Sequence, residues 1–264
     1  MINVQKKKLY SIINDKTSGS TEILLSLNSF LKNCLYNKKL FENSILEAKD
    51  LLSHFAIIDN YLTALNNIVI KKDFDTASRF LNNIERTEKE KFENIFRNLL
   101  KEMPKAKDIL TMSRSGTLIR VFKLWKKRKR NLNLIIAESR PSNEGKSMAK
   151  ELLNAGIKVE LITDAMTGNY IPRIDAVAVG ADVVLKNGNV INKSGSLSLA
   201  VLCKYYKKPF YVLSAKSKFI NKTKYKIIRE NPDRVWSYKH PNLITSNIPF
   251  EEIEKKLITK IISE

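Results

Sequence analysis

NLNLIIAESRPSNEGKSMAKELLNAGIKVELITDAMTGNYIPRIDAVAVGADVVLKNGNVINKSGSLSLAVLCKYYKKPFYVLSAK, residues 131–216, alternates short apolar runs with amphipathic segments of helix length. Each run stops at a small polar cluster. LNLIIAE ends at Ser139, Arg140 and Pro141, and KVELIT ends at Asp164. AVAVGA ends at Asp182, and PFYVLS ends at Ala215 and Lys216. Runs of roughly four to eight Ile, Val and Leu residues, bounded by turn signals and separated by helical patterns, predict buried parallel strands with crossover helices. In open α/β sheets ligands bind beyond the carboxyl ends of the strands, near the point where strand order reverses. The polar residues of this stretch fall at those ends.

Working outward, DILTM (108–112) is a further strand, followed by Ser113, Arg114, Ser115 and Gly116 and then the helical pattern TLIRVFKLWKKRK. The helix around Met148, Leu152 and Leu153 stops at Asn154, Ala155 and Gly156. Lys186, Asn187, Gly188 and Asn189 form a tight turn back toward Val190 and Ile191, and Ser194, Gly195 and Ser196 open the helix LSLAVLCKYY. The tail is extended and polar through Trp236, Ser237 and Tyr238, and Pro249 is expected to start a last amphipathic helix ending near Ile262.

Upstream, the first hundred residues read almost entirely as helix. Apolar residues recur three and four apart in Leu24, Leu25, Leu27, Phe30 and Leu31, then in Ile45, Ala48, Leu51, Leu52 and Phe55. The spacing continues through Phe80, Leu81 and Ile84 and through Phe92, Ile95, Phe96, Leu99 and Leu100. Hydroxyls of the stretch Ser18, Gly19, Ser20, Thr21 suit a helix cap, as does Asp73 or Asp75 before the helix of Phe80. Pro104 ends the last of these helices. An all-helical N-terminal domain (1–105) followed by an α/β domain with a mainly parallel sheet (106–264) is the expected organisation.

Composition narrows the class. With 43% hydrophobic and 28% charged residues over 264 positions, the chain has the make-up of a globular protein with a sizeable core. Its 8 Gly and 7 Pro leave no low-complexity linker. Cys34 and Cys203 sit in apolar helical patterns without metal-ligand spacing, so two reduced, buried thiols are expected, with no metal and no cofactor. Met1, Ile2 and Asn3 lead into Lys6, Lys7 and Lys8 without an apolar segment, so neither a signal peptide nor a membrane span is expected and a cytoplasmic location is. The net charge of +20 favours acidic partners. Lysine is spread along the whole chain, densest at 6–8, 126–130 and 216–226, and no RNA-binding motif accompanies it. RNA contact is a third reading that rests on charge alone.

The strand ends hold the candidate chemistry. Ser113, Arg114, Ser115 and Gly116 combine hydroxyls, a cation and free N–H groups at a helix start, which suits an anion such as phosphate. Asn192 and Lys193, before another helix start, add a second anion contact, and Arg140 a bidentate one. Asp182, at the mouth of the sheet, stands where a general base would sit. Taken singly, such residues are more often caps and loop braces; their gathering at successive strand ends is the signal.

AESRPSNEG (137–145), LITDAM (161–166), VGADVVLKNGNVINKSG (179–195) and PFYVLS (209–214) together resemble the superfamily of translation initiation factor 2B regulatory subunits, alpha, beta and delta. That superfamily also contains methylthioribose-1-phosphate isomerase and archaeal ribose-1,5-bisphosphate isomerase. TMSRSGT (111–117) is similar to its turn after the first strand, and DKTSGSTEILL (15–25) to its N-terminal glycine turn. The resemblance implies a helical domain followed by a Rossmann-like domain. It also implies that the isomerases' catalytic cysteine corresponds to Ser113, their aspartate to Asp182, and their phosphate-binding arginine to Ser18, before Gly19 and Ser20. Two departures in the chemical kit point to a non-catalytic, archaeal-type regulatory member. Such a member is expected to form a dimer or hexamer, to contact the alpha subunit of initiation factor 2, and to keep Asp182, Asn192 and Lys193 as a pocket for a sugar phosphate or nucleotide. The alternative is an aldose–ketose isomerase in which Ser113, or a water it holds, replaces the thiol and Asp182 is the base.

Overall fold

The computed structural model describes residues 2–15, 20–52, 56–128, 131–226 and 228–264. By packing, the chain divides into two units, Met1–Glu90 and Lys91–Glu264.

The first unit contains helices α1 (Ile2–Ile13), α2 (Ser20–Cys34), α3 (Lys38–Leu52), α4 (Ala56–Ile70) and the first part of α5 (Phe74–Glu102). The apolar residues three and four apart meet in one core that includes Leu27, Leu31, Phe41, Ile45, Ala48, Leu62 and Leu81. Its buried Asn28 is satisfied. The amide donates to the Leu81 carbonyl at 3.0 Å and its oxygen accepts from the Tyr61 hydroxyl at 2.9 Å. Of the two candidate caps, Asp73 accepts the Thr76 N–H at 2.9 Å and starts α5. Pro104 marks where α5 stops. The packing changes earlier, because Phe92, Ile95, Phe96 and Leu99 join the core of the second unit.

In the second unit β1 (Asp108–Met112), α6 (Gly116–Lys127), β2 (Asn133–Ala137), α7 (Glu144–Asn154) and β3 (Lys158–Ile162) follow one another. The short helix α8 (Thr167–Tyr170), β4 (Ala176–Val179), β5 (Val183–Val184), β6 (Val190–Lys193), α9 (Ser196–Tyr205), β7 (Phe210–Leu213), β8 (Phe250–Ile253) and β9 (Lys260–Ile262) complete it. Six strands form a sheet of order β3-β2-β1-β4-β7-β9, parallel at every pairing. Alternate residues divide between its faces, as the two-residue period of a strand requires. Ile109, Leu134, Ile136, Ala176, Ala178 and Leu213 pack with the end of α5, with α6 and with α7. Leu110, Ile135, Val177, Val179, Phe210 and Val212 pack with α9. Helices on both faces explain why the inner strands are largely apolar, whereas the edge strand β3 carries Lys158 and Glu160 and is mostly exposed. Gly156, at φ +72°, ends α7 where the sequence placed the stop. Strands β5, β6 and β8 form a separate antiparallel sheet, with the turn at Lys186 to Asn189 between β5 and β6.

The expected C-terminal helix from Pro249 to Ile262 does not form. That segment makes β8 on β6, one 3-10 turn (Lys255–Leu257), and β9 on β7. Two open strand edges outcompete a helix here. Thr259 donates its N–H to the Phe210 carbonyl at 2.9 Å and accepts the Phe210 N–H on its hydroxyl at 2.9 Å. Ile253 and Ile262 are buried, and β-branched side chains fit such half-covered pleated surfaces. The preceding tail is mostly exposed and extended, apart from one 3-10 turn at Pro232–Arg234. Cys34 and Cys203 are free, buried thiols, and burial pushes Cys203 up to about 12. Among the described residues no helix is long and apolar enough to cross a membrane.

Candidate functional site

Strand order reverses between β1 and β4, so the crevice of this sheet opens beyond Met112 and Val179. Gly180 lets the two turns there approach closely: a Cβ at this position would stand 2.6 Å from the Ser115 hydroxyl. Ser113 is left-handed, at φ +57°, and donates its N–H to the Ser139 hydroxyl at 2.7 Å. Ser139, at φ +63° and 1% exposed, donates that hydroxyl to the Ala137 carbonyl at 3.1 Å. Asp164 accepts the N–H groups of Ser139 and Arg140 at 2.8 and 2.7 Å. The turns after β1, β2 and β3 are thereby braced to one another. Asn143, at φ +58°, is a third left-handed residue on this rim. Such conformations persist where the surroundings over-determine them, and they gather at functional sites.

Of the cations expected to meet an anion, Arg114 and Lys193 are engaged with carboxylates of the chain. Arg114 donates to Glu151 at 3.1 Å, and Lys123 donates to the same carboxylate at 2.6 Å. Burial works upward on the Glu151 pKa, yet Lys123 and Arg114 together hold it below the ordinary value. Lys193, only 6% exposed, reaches Glu144 at 2.6 Å. Glu144 is the first residue of α7, held against the end of β2 because a Cβ on the next residue, Gly145, would lie 2.0 Å from the Ala137 carbonyl oxygen. The start of α9 is also taken: Glu251 Oε1 accepts the N–H groups of Gly195 and Leu197, each at 2.7 Å. Asn192 is buried and donates to the Ser196 hydroxyl at 2.8 Å. The Arg140 side chain turns to the tail and donates to the Val235 carbonyl at 3.3 Å.

Asp182 is the remaining predicted residue of the crevice. Its N–H donates to the Ile191 carbonyl at 2.9 Å. The residue is exposed, with protein atoms crowding its carboxylate. That burial raises its pKa; Lys218 and Lys193 work against the rise, and Glu144 adds to it. Lys218 donates to the Ala181 carbonyl alongside. Two carboxylates, Asp182 and Glu144, and two ammonium groups, Lys193 and Lys218, therefore act on one another here.

Ser113, Ser115, Gly116, Asp182, Asn192 and Lys193 thus gather near the strand ends, whereas the Arg114 and Arg140 side chains are directed elsewhere. Ser18 and Gly19 lie outside the described residues, and Ser20 opens α2 of the first unit. The sequence reading missed Glu144, Ser139, Lys218 and Glu251. An acidic residue at a helix start is a visible signal for Glu144, but its partner Lys193 is 49 residues away in sequence. Among the described residues no group of three or more His, Cys, Asp or Glu is placed to hold a metal. A hollow of about 300 Å³ between Lys6, Phe30, Lys39 and Glu47 lies within the first unit, apart from this chemistry.

A model of the Initiation factor 2 subunit family matches residues 14–264. The chain belongs to that family. Its curated relatives include a subunit 2-like protein of translation initiation factor eIF-2B from Pyrococcus abyssi, 40% identical over 111 residues, which are 42% of this chain and 40% of that one. A methylthioribose-1-phosphate isomerase from Bacillus pumilus is 34% identical over 167 residues, 59% of this chain and 47% of that one. The chain thus spans less than half the length of either relative. Among solved structures, 5-methylthioribose 1-phosphate isomerase from Pyrococcus horikoshii shares the fold with a TM-score of 0.81 at 21% identity, covering 98% of this chain and 82% of that one. The tetrameric eIF2B-beta2-delta2 complex from C. thermophilum matches with a TM-score of 0.57 at 17% identity, covering 100% of this chain and 90% of that one. Family members of both names, initiation factor and isomerase, share this architecture.

Proposed function

We propose that this chain is a regulatory, non-catalytic binding subunit of the initiation factor 2B type, acting through its surfaces on copies of itself and on the alpha subunit of initiation factor 2. One observation carries the reading: the residue at the crevice where the resembling isomerases use a thiol is Ser113. A serine hydroxyl needs a neighbouring base to act in proton transfer or attack, and among the described residues Ser113 has its N–H on Ser139 and no such base on its hydroxyl. Support for self-assembly comes from the exposed tail, where Trp236 stacks on Tyr238 with ring centroids 5.0 Å apart and Ile244 is 91% exposed. A relative of the same fold is a tetrameric complex. Immobilised protein challenged with purified initiation factor 2 should retain it above a blank surface; recovery at background level would defeat the reading.

The isomerase alternative has one observation in its favour, the raised carboxyl of Asp182 beside Lys218, which suits a proton-transferring group. It requires turnover of ribose 1,5-bisphosphate or methylthioribose 1-phosphate that disappears in Asp182→Asn.

A further inference from the structure

Beside Asp182 the chain supplies its own anion. Lys193 is nearly enclosed, with a side chain 7% exposed, and its ammonium lies 2.6 Å from Glu144 Oε1. Glu144 also occupies the first turn of α7, where the unpaired N–H groups of a helix start attract negative charge. One oxygen of this carboxylate therefore already occupies the Lys193 ammonium, at the start of a helix that favours negative charge. With Asp182 and Lys218 included, the charges cancel. The acceptors point the same way: the second Glu144 oxygen, Oε2, and Asn143 Oδ1 are buried and, among the described residues, have no donor. A group entering here must bring hydrogen-bond donors, and phosphate oxygens at neutral pH are acceptors.

We propose that Glu144 closes this site to phosphate: its carboxylate, at the first turn of α7, already holds the Lys193 ammonium, so that the site excludes phosphorylated sugars, and loss of that single charge admits them. A phosphate dianion reaching Lys193 has to displace Glu144 and then lie beside two carboxylates, Glu144 and Asp182. Discrimination by a like charge at the point of contact is a recurrent way to refuse a ligand that otherwise fits. The inference deepens the regulatory reading above and rests on it, since a sugar-phosphate isomerase has to admit the group that Glu144 refuses.

Calorimetric titration of the full chain with ribose 1,5-bisphosphate tests it. Glu144→Gln keeps the shape and an oxygen that accepts from Lys193 while removing the charge. The wild type is expected to bind weakly or not at all, and Glu144→Gln at least about tenfold more tightly. Adding Lys193→Met to that variant should abolish the gain. Glu144→Ala, which also removes the charge, serves if the glutamine variant folds poorly by circular dichroism. Wild type binding as tightly as either variant would overturn the proposal, and so would absence of binding in all of them. Failure of the initiation factor 2 experiment would sink the regulatory reading while leaving the calorimetric comparison intact, so the two failures are distinguishable.

Discussion

The turns that open α6 and α9 are built from the same kit, and each has its cation held by a carboxylate of the chain, but their helix starts are capped differently. The first follows β1 with Ser113, Arg114, Ser115 and Gly116; the second follows β6 with Lys193, Ser194, Gly195 and Ser196. Each offers a cation, small hydroxyls and the free N–H groups of a helix start. At α6 the cap is the chain's neighbouring hydroxyl, Ser115 accepting the Leu118 N–H at 3.4 Å, and no acidic residue lies in the first turn. At α9 the start is covered by Glu251 and the adjacent Lys193 is held by Glu144. The difference comes from carboxylates far away in sequence. A turn's composition says that it attracts anions; the fold decides whether that attraction is already satisfied.

Three variants break or sharpen that contrast. Gly145→Ala has the largest expected effect, because its Cβ would meet the Ala137 carbonyl oxygen at 2.0 Å and dislodge the start of α7 that places Glu144. A loss of about 4 kcal/mol in urea unfolding, or failure to fold, is expected. A well-tolerated alanine would mean that Glu144 is not held where its pairing with Lys193 requires. Glu251→Ala removes a charged acceptor from two N–H groups and should cost about 2 kcal/mol. Ser115→Ala at the α6 start should cost only about 1 kcal/mol. Equal losses in the same unfolding measurement would erase the contrast between the turns.

The smaller effects concern pH. Asp182 has a folded pKa above its ordinary 3.8, so folding stability falls as pH rises through the interval between those values. Asp182→Asn lacks that penalty. Its melting temperature should exceed the wild type's at neutral pH, with the gap closing as pH drops toward 3.8; no gap at neutral pH would mean the surroundings do not strain this carboxylate. Glu151 shows the reverse sign, with a folded pKa below the ordinary carboxylate value. Its contribution is complete above the unfolded pKa and disappears as pH falls through the folded one. For this partly exposed pair with Arg114 and Lys123, Glu151→Gln should cost about 0.5 kcal/mol at pH 7 and nothing in strong acid. A loss that persists in acid would assign the stabilisation to packing instead.

Periodicity made the sheet legible. DILTM became β1 residue for residue, and LNLIIAE, KVELIT, AVAVGA and PFYVLS became β2, β3, β4 and β7 with ends shortened. Strands covered on both faces leave unbroken apolar runs, and small polar residues punctuate them. The C-terminal segment misled because Ile253, Leu257 and Ile261 are spaced like one face of a helix. Nothing local reveals that β6 and β7 have open edges to receive it. The site was half legible for a similar reason. Asp182, Asn192 and Lys193 announce themselves by position after apolar runs, but the partners that set their behaviour arrive from other turns. Glu144 reaches Lys193 from α7, Lys218 reaches Ala181 from beyond β7, and Glu251 reaches α9 from β8. Arg114 looked like an anion ligand until Glu151 supplied a partner from 37 residues away.

The proposed regulatory role requires that this crevice carry out no sugar-phosphate isomerisation. Incubating the purified chain with ribose 1,5-bisphosphate and with methylthioribose 1-phosphate, and following aldose-to-ketose conversion, tests it most directly. Conversion no faster than in buffer alone is the predicted result. Turnover that the wild type shows and Asp182→Asn lacks would contradict the account and make this crevice an active site.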